Sequence, residues 1–184
     1  LANGRKSIDA MPSVLSGIPM LKDHLFLTPT IMSKEITGLA KELGNKGYYS
    51  AFFHGADNGS MGFQSFSQVI GFKDYFGMED FVKKPEYGGD AVFDGYWAIW
   101  DEEFLQFYAL QMSQMKEPFL TSVFTASSHH PYKVPERYQN IYKDEPNDPN
   151  VLCKCIRYVD NALKLFFETA EKQPWYKNTI FVLR

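Results

Sequence analysis

The sequence predicts an α/β protein, a three-layer α/β/α sandwich with a mainly parallel sheet. Three observations lead there. Apolar runs of strand length stand at 48–54 (YYSAFFH), 118–126 (PFLTSVFTA) and 178–184 (NTIFVLR). Segments of helical period separate them, and strands alternating with helices imply βαβ crossovers and hence parallel pairing. Finally, 184 residues that are 45% apolar and 16% aromatic can enclose a sizeable core as one domain.

The elements follow in order. Ile8, Met11, Val14 and Leu15 fall at helical spacing, so a first helix is expected from Ser7 to Ser16, stopped by Gly17 and Pro19. A second is expected over 33–43, burying Ile36, Leu39, Ala40 and Leu43. The aromatic run 48–54 is a buried strand, and Phe63, Phe66, Val69 and Ile70 mark a short helix. The stretch to Trp100 reads as irregular, broken by Gly88, Gly89 and Gly95. Asp101 reads as an N-cap, with Glu102 and Glu103 complementing the helix dipole of a helix running to about Lys116. After the strand at 118–126 and a polar connection over 131–150, a long helix is expected over 151–172. Its predicted buried stripe is Leu152, Ile156, Val159, Leu163, Phe166 and Phe167. The run 178–184 is the third expected strand.

Composition also excludes functions. A formal net charge of -3 argues against a protein built to neutralise nucleic-acid phosphates. No run of about 18 apolar residues is present, nor a signal-peptide layout. Cys153 and Cys155 lie two apart in a helical pattern, roughly 200° apart around it, which rules out a local disulfide and favours two reduced packing thiols. No phosphate-binding glycine fingerprint occurs, so nucleotide binding is not indicated.

Ligands of open parallel sheets bind at the carboxyl ends of the strands. His54, Asp57 and Asn58 follow the first strand, and Ser127, Ser128, His129 and His130 follow the second. Ser7 opens a helix behind Arg5 and Lys6. Each has an ordinary reading: Ser7 an N-cap, His54 a strand end, Asp57 and Asn58 a turn, one of the two adjacent histidines a solvated loop residue. Each has a chemical one too. A hydroxyl at a helix N-terminus beside cations suits attack on an anionic ester, because free N–H groups and the helix dipole favour the anion. Trp97 and Trp100 are packing residues or a pocket wall, with Trp100 placed to staple the following helix.

Taken in order, "GRKSID" before a helix ending "LSGIP", then "FHGADN", "GYWAIWDEEFLQF", "TASSHHPY", "IRYVDNALKLFF" and "NTIFVL" resemble a catalytic domain of known type. That type is the lipoteichoic-acid-synthase-like, phosphoglycerol transferase branch of the sulfatase and alkaline-phosphatase superfamily. The resemblance implies an alkaline-phosphatase-like fold. It implies that Ser7 is the nucleophile, held by a divalent metal (Mn, Mg, Zn or Ca) and forming a covalent intermediate. Lys6 matches a basic residue of the family motif, His129 the histidine that contacts substrate phosphate, and His54 and Asp57 substrate-pocket positions. The implied partners are an anionic phospholipid head group, or a sulfate or phosphate ester, and a glycan or lipid acceptor. The implied location is the outer face of the cell membrane, held there by segments other than these.

The family places one metal-ligating carboxylate after a strand upstream of the nucleophile and an Asp-His pair directly after the strand matching "NTIFVL". Residues 1–184 are therefore expected to be a partial catalytic domain that cannot complete the metal site or turn over alone, and whose truncated edges could self-associate. Formylglycine formation is not expected, because Asp9 and Met11 stand where that signature has Pro or Ala and Arg. Two other readings stay open: a sulfatase or phosphodiesterase of the same superfamily, and a non-catalytic α/β binding domain.

Overall fold

A computed structural model describes residues 6–19, 35–142 and 152–184. The expected start of the second helix, at 33–34, and the first residue of the last, at 151, lie outside them. The chain divides into two compact units, and each is described by itself.

The first unit holds residues up to Phe53, Asn58–Phe76 and Lys116–Ser122. A 3-10 turn over Ser7–Asp9 leads into α1 (Ala10–Ser16), which ends at Gly17 in the left-handed region, φ 65°. The predicted stop signal therefore acts as expected. α2 (Leu39–Gly44) precedes β1 (Tyr49–His54), and α3 (Phe63–Val69) precedes β2 (Asp74–Phe76). The second helix, expected over 33–43, is thus shorter than its pattern: 35–38 are not helical, and Leu39, at the first helical position, is 45% exposed rather than buried. With β3 (Phe119–Phe124) these strands form a sheet of order β2-β1-β3. β1 and β2 are parallel, in the register Ala51↔Asp74, Phe52↔Tyr75 and Phe53↔Phe76. Sequence reasoning missed β2, since three residues are too few to display a period.

Aromatic side chains make this unit's core. Phe52 meets Phe63 and Phe72 edge-on at 6.0 and 5.7 Å and stacks on Tyr75 at 5.8 Å, while Phe53 stacks on Phe76 at 4.7 Å. Such geometries add to the area term. Gly71 is needed where it stands: its φ is +100°, and a Cβ there would lie 2.6 Å from the Lys41 backbone nitrogen.

The second unit holds His54–Asp57, Gly77–Met115 and Val123–Arg184. Its helices are α4 (Met78–Val82), α5 (Asp101–Met112) and α6 (Cys153–Ala170). α5 and α6 pack together, with Tyr108 stacked on Phe166 at 5.5 Å and the Thr169 hydroxyl donating to Gln106 Oε1 at 2.6 Å. Phe81, Phe104 and Phe107 form a second aromatic core.

Three further sequence expectations are corrected here. The buried stripe of α6 is Cys155, Tyr158, Ala162, Phe166 and Ala170, and Ile156 is 52% exposed. The buried face is built from small and aromatic residues, so counting branched aliphatics turned the helix by about one position, or 100°. Residues 179–184 form no strand; Ile180 and Val182 are 91% and 81% exposed. A strand exists only with a ladder partner, and among the described residues none pairs with this run. Phe181 alone folds back, against Phe166, Phe167, Trp175 and Tyr176. Lastly, Asp101 is not the cap of α5. Trp100 takes that position with an extended backbone, and Asp101 is the first helical residue.

Candidate active site

β1 runs into a segment held closely by backbone. Ile99 N–H donates to Gly55 O at 2.9 Å, Met78 N–H to Ala56 O at 3.0 Å, and Ala56 bridges Ala98. A Cβ on Gly55 would sit 3.2 Å from the Phe104 ring. The absent side chain lets Phe104 close on the turn.

His54, at the strand's end, is only 1% exposed. Its Nδ1 lies 2.9 Å from Phe124 O at the end of β3. A carbonyl only accepts, so Nδ1 carries the hydrogen and Nε2 the lone pair. Burial holds the imidazole pKa below its ordinary value, against the opposing Phe124 hydrogen bond. Asp57 is exposed in the turn that follows.

The loop after β3 is fixed by a residue that sequence reasoning misplaced. The Asp101 carboxylate, on a residue 2% exposed, accepts Ala126 N–H at 2.8 Å through Oδ1 and Ser127 N–H at 3.0 Å through Oδ2. Asp101 N–H returns a bond to Ser127 Oγ at 2.9 Å. Burial pushes this carboxyl up to about 6, with Asp94 adding to the rise; the two backbone N–H donors and the Ser127 side chain oppose it. Nothing in the sequence separates such a residue from an N-cap, because both are acidic groups at a helix start.

A pH dependence follows. Asp101 binds its proton more tightly folded, up to about 6, than at its ordinary value of 3.8. Between those values the native state holds more protons than the unfolded chain, so stability falls as pH rises. The contribution is complete below 3.8 and lost above about 6, and its size is on the order of 3 kcal/mol. His54 has the opposite slope: its lowered pKa gives stability that is present above 6.5 and lost on acidification. Urea denaturation from pH 3.5 to 7.5 is expected to show the Asp101 component as a difference between wild type and Asp101→Asn, with the His54 slope in both. A difference independent of pH would contradict it.

A second carboxylate organises the facing turn. Asp94 Oδ1 accepts the backbone N–H groups of Tyr96 and Trp97 at 2.7 Å each and of Ala98 at 3.2 Å. The fixed Trp97 donates its indole N–H to His130 O at 3.0 Å. The same carbonyl faces His129 Nδ1 at 3.0 Å, and the His129 ring meets Trp97 edge-on at 5.0 Å. His129 therefore carries its hydrogen on Nδ1 and leaves Nε2 as the nitrogen able to meet a ligand. Tyr132, whose N–H donates to His129 O, has a φ of +59°, an uncommon and costly state for a residue with a side chain. The loop is held in this shape by its surroundings.

Of the predicted site residues, the second unit carries His54, Asp57 and His129, with Trp97 against His129 and Trp100 against Tyr158 at 5.9 Å. The first unit carries Lys6 and Ser7. Ser7 opens the 3-10 turn before α1, while its side chain lies outside what is described. Lys6 is exposed; its N–H donates to Asp9 Oδ2 at 3.1 Å and its carbonyl accepts Asp9 N–H at 3.0 Å. Asp9 and Lys6 thus close the turn on each other through their backbone and the Asp9 carboxylate. Among the described residues no three His, Cys, Asp or Glu side chains gather as a metal site would need. Both cysteines are free thiols.

The small parallel sheet flanked by helices defines an α/β fold. A family model described as Sulfatase matches residues 2–183, and the chain belongs to that family. It is 28% identical over 166 residues to the lipoteichoic acid synthase-like protein YvgJ of Bacillus subtilis, covering 89% of this chain and 26% of that protein. It is 27% identical over 146 residues to phosphoglycerol transferase I of Salmonella choleraesuis, covering 77% and 19%. The solved lipoteichoic acid synthase LtaP of Listeria monocytogenes superposes with a TM-score of 0.77 at 19% identity, covering 92% of this chain and 41% of that one. An alkaline phosphatase superfamily protein from Vibrio parahaemolyticus gives 0.76 at 24% identity, covering 95% and 41%. At these identities the structural likeness establishes the fold. The chain spans about a quarter or less of the curated relatives named here.

Proposed function

We propose that this chain is catalytic-domain sequence of an enzyme that transfers phosphoglycerol, or a related phospho-alcohol, from an anionic phospholipid head group to a glycan or lipid acceptor. The observation that carries the reading is the family match across 2–183, joined by relatives that include a phosphoglycerol transferase.

In the proposed reaction Ser7 Oγ attacks the phosphorus of a phosphodiester. The Oγ–P bond forms, the bond from phosphorus to the lipid alcohol breaks, and the departing alkoxide takes up a proton, equal to the one Ser7 gives up. An acceptor hydroxyl then attacks the same phosphorus, displaces Ser7 and returns its proton. His129 contacts the phosphate through Nε2, Lys6 adds positive charge, and His54 and Asp57 belong to the substrate pocket. A divalent metal would favour the serine alkoxide and neutralise phosphate charge. The described residues do not gather a ligand set for one. The proposed location is the outer face of the cell membrane; no helix among the described residues is long and apolar enough to cross one.

The test follows a head-group-labelled phosphatidylglycerol in the intact protein, with and without a glycolipid acceptor. Transfer of label to the acceptor is expected. Release of label to water alone, acceptor or not, would make the protein a hydrolase of the superfamily, and no release at all would favour a non-catalytic domain.

A further inference from the structure

We propose that Asp101 is a positioning residue for His129, setting the loop that carries it through the Asp101–Ala126–Ser127 hydrogen bonds. The proposal rests on the phosphoester reading for its meaning, though its geometry stands within one unit.

Burying a carboxylate is unfavourable unless its hydrogen bonds are worth keeping. Asp101 is 2% exposed, and the bonds found for its carboxylate go to backbone N–H groups of one loop, at 2.8 and 3.0 Å. Its own N–H fixes the Ser127 hydroxyl, so both ends of the residue grip the same dipeptide. Two residues later stands His129, whose N–H donates back to Ala126 O at 3.1 Å. The register set at 126–127 is thereby passed directly to the histidine. On the far side, His130 O faces both the Trp97 indole N–H and His129 Nδ1. The imidazole is therefore framed from two carboxylates: Asp101 at the loop's beginning, and Asp94 through the Trp97 turn. The groups that face Asp101 electrostatically are Asp94 and Tyr158, with Glu102 next in the helix. None is a cation, so hydrogen-bond geometry rather than ion pairing fixes the carboxylate.

Asp101→Asn is nearly isosteric but turns one acceptor into a donor facing a backbone N–H. Heteronuclear NMR of the chain reads three things: amide exchange at 126 and 127, the His129 imidazole resonances, and binding of sn-glycerol 1-phosphate. In Asp101→Asn, exchange at 126 and 127 is expected to quicken by about 10-fold or more relative to α6 amides, the loss expected for a hydrogen bond to a charged group. His129 is expected to lose the ring-current shift imposed by Trp97, and sn-glycerol 1-phosphate affinity to fall by a similar factor. Ser127→Ala keeps the carboxylate and is expected to move the same signals less; it decides the matter if Asp101→Asn does not fold. A purely structural Asp101 would lower stability and leave His129 unmoved in the folded molecules, and that result overturns the proposal. If wild type fails to bind sn-glycerol 1-phosphate while Asp101→Asn still displaces His129, the positioning stands and the phosphoester reading falls.

Discussion

Ser7→Ala is expected to lower phosphoester turnover by at least about 10³-fold in the intact protein, with a much smaller effect on substrate binding. Removing a nucleophile eliminates the covalent route and leaves only binding and electrostatic catalysis behind, which is why such losses run to three or more orders of magnitude. The position suits the role. Ser7 is the first residue of the 3-10 turn that leads into α1, next to the exposed Lys6. Ser13, two turns along, is the control: its hydroxyl donates to Asp9 O at 3.0 Å and Ala10 O at 3.2 Å within the helix. Ser13→Ala is expected to keep nearly full activity. Steady-state kinetics of both variants check the pair, and equal losses would show that the helix, rather than the Ser7 hydroxyl, had been damaged.

Phe104→Ala is expected to destabilise the fold by about 3–5 kcal/mol, read as a fall in the urea midpoint at unchanged m. Phe104 is 2% exposed and lies 6.0 Å from Phe81 and 5.7 Å from Phe107, ring to ring. It also fills the space beside Gly55 that a Cβ would enter. The resulting cavity would thus open beneath the turn after β1 and the start of α5 together. Against a typical net stability of about 5–15 kcal/mol this is a large share. A loss below about 1 kcal/mol would mean that the second aromatic core closes over the gap.

The two strands that deliver site residues were legible because their signals are dense. YYSAFFH and PFLTSVFTA are aromatic and β-branched runs longer than chance turns, and β1 and β3 lie within them. So were the positions of two histidines, since chain order alone places His54 at the end of β1 and His129 in the loop after β3. What stayed hidden is long-range. β2 needed its neighbour to exist, and 179–184 shows the converse: strand-forming residues without a ladder partner remain unpaired. Local sequence makes Asp101 a cap, whereas its partners lie 25 and 26 residues away. Asp94 lies in a stretch with no local period, although three successive N–H groups converge on it. Local periodicity reports faces and lengths; it carries nothing about which distant backbone a buried carboxylate will hold.

The account turns on a covalent intermediate at one residue, and peptide mass spectrometry of the intact protein, acid-quenched during turnover of phosphatidylglycerol, reads it directly. A glycerophosphoryl group on the Ser7 peptide, absent in Ser7→Ala, is the predicted result. Undiminished turnover by Ser7→Ala, with no modified Ser7 peptide in wild type, would contradict it.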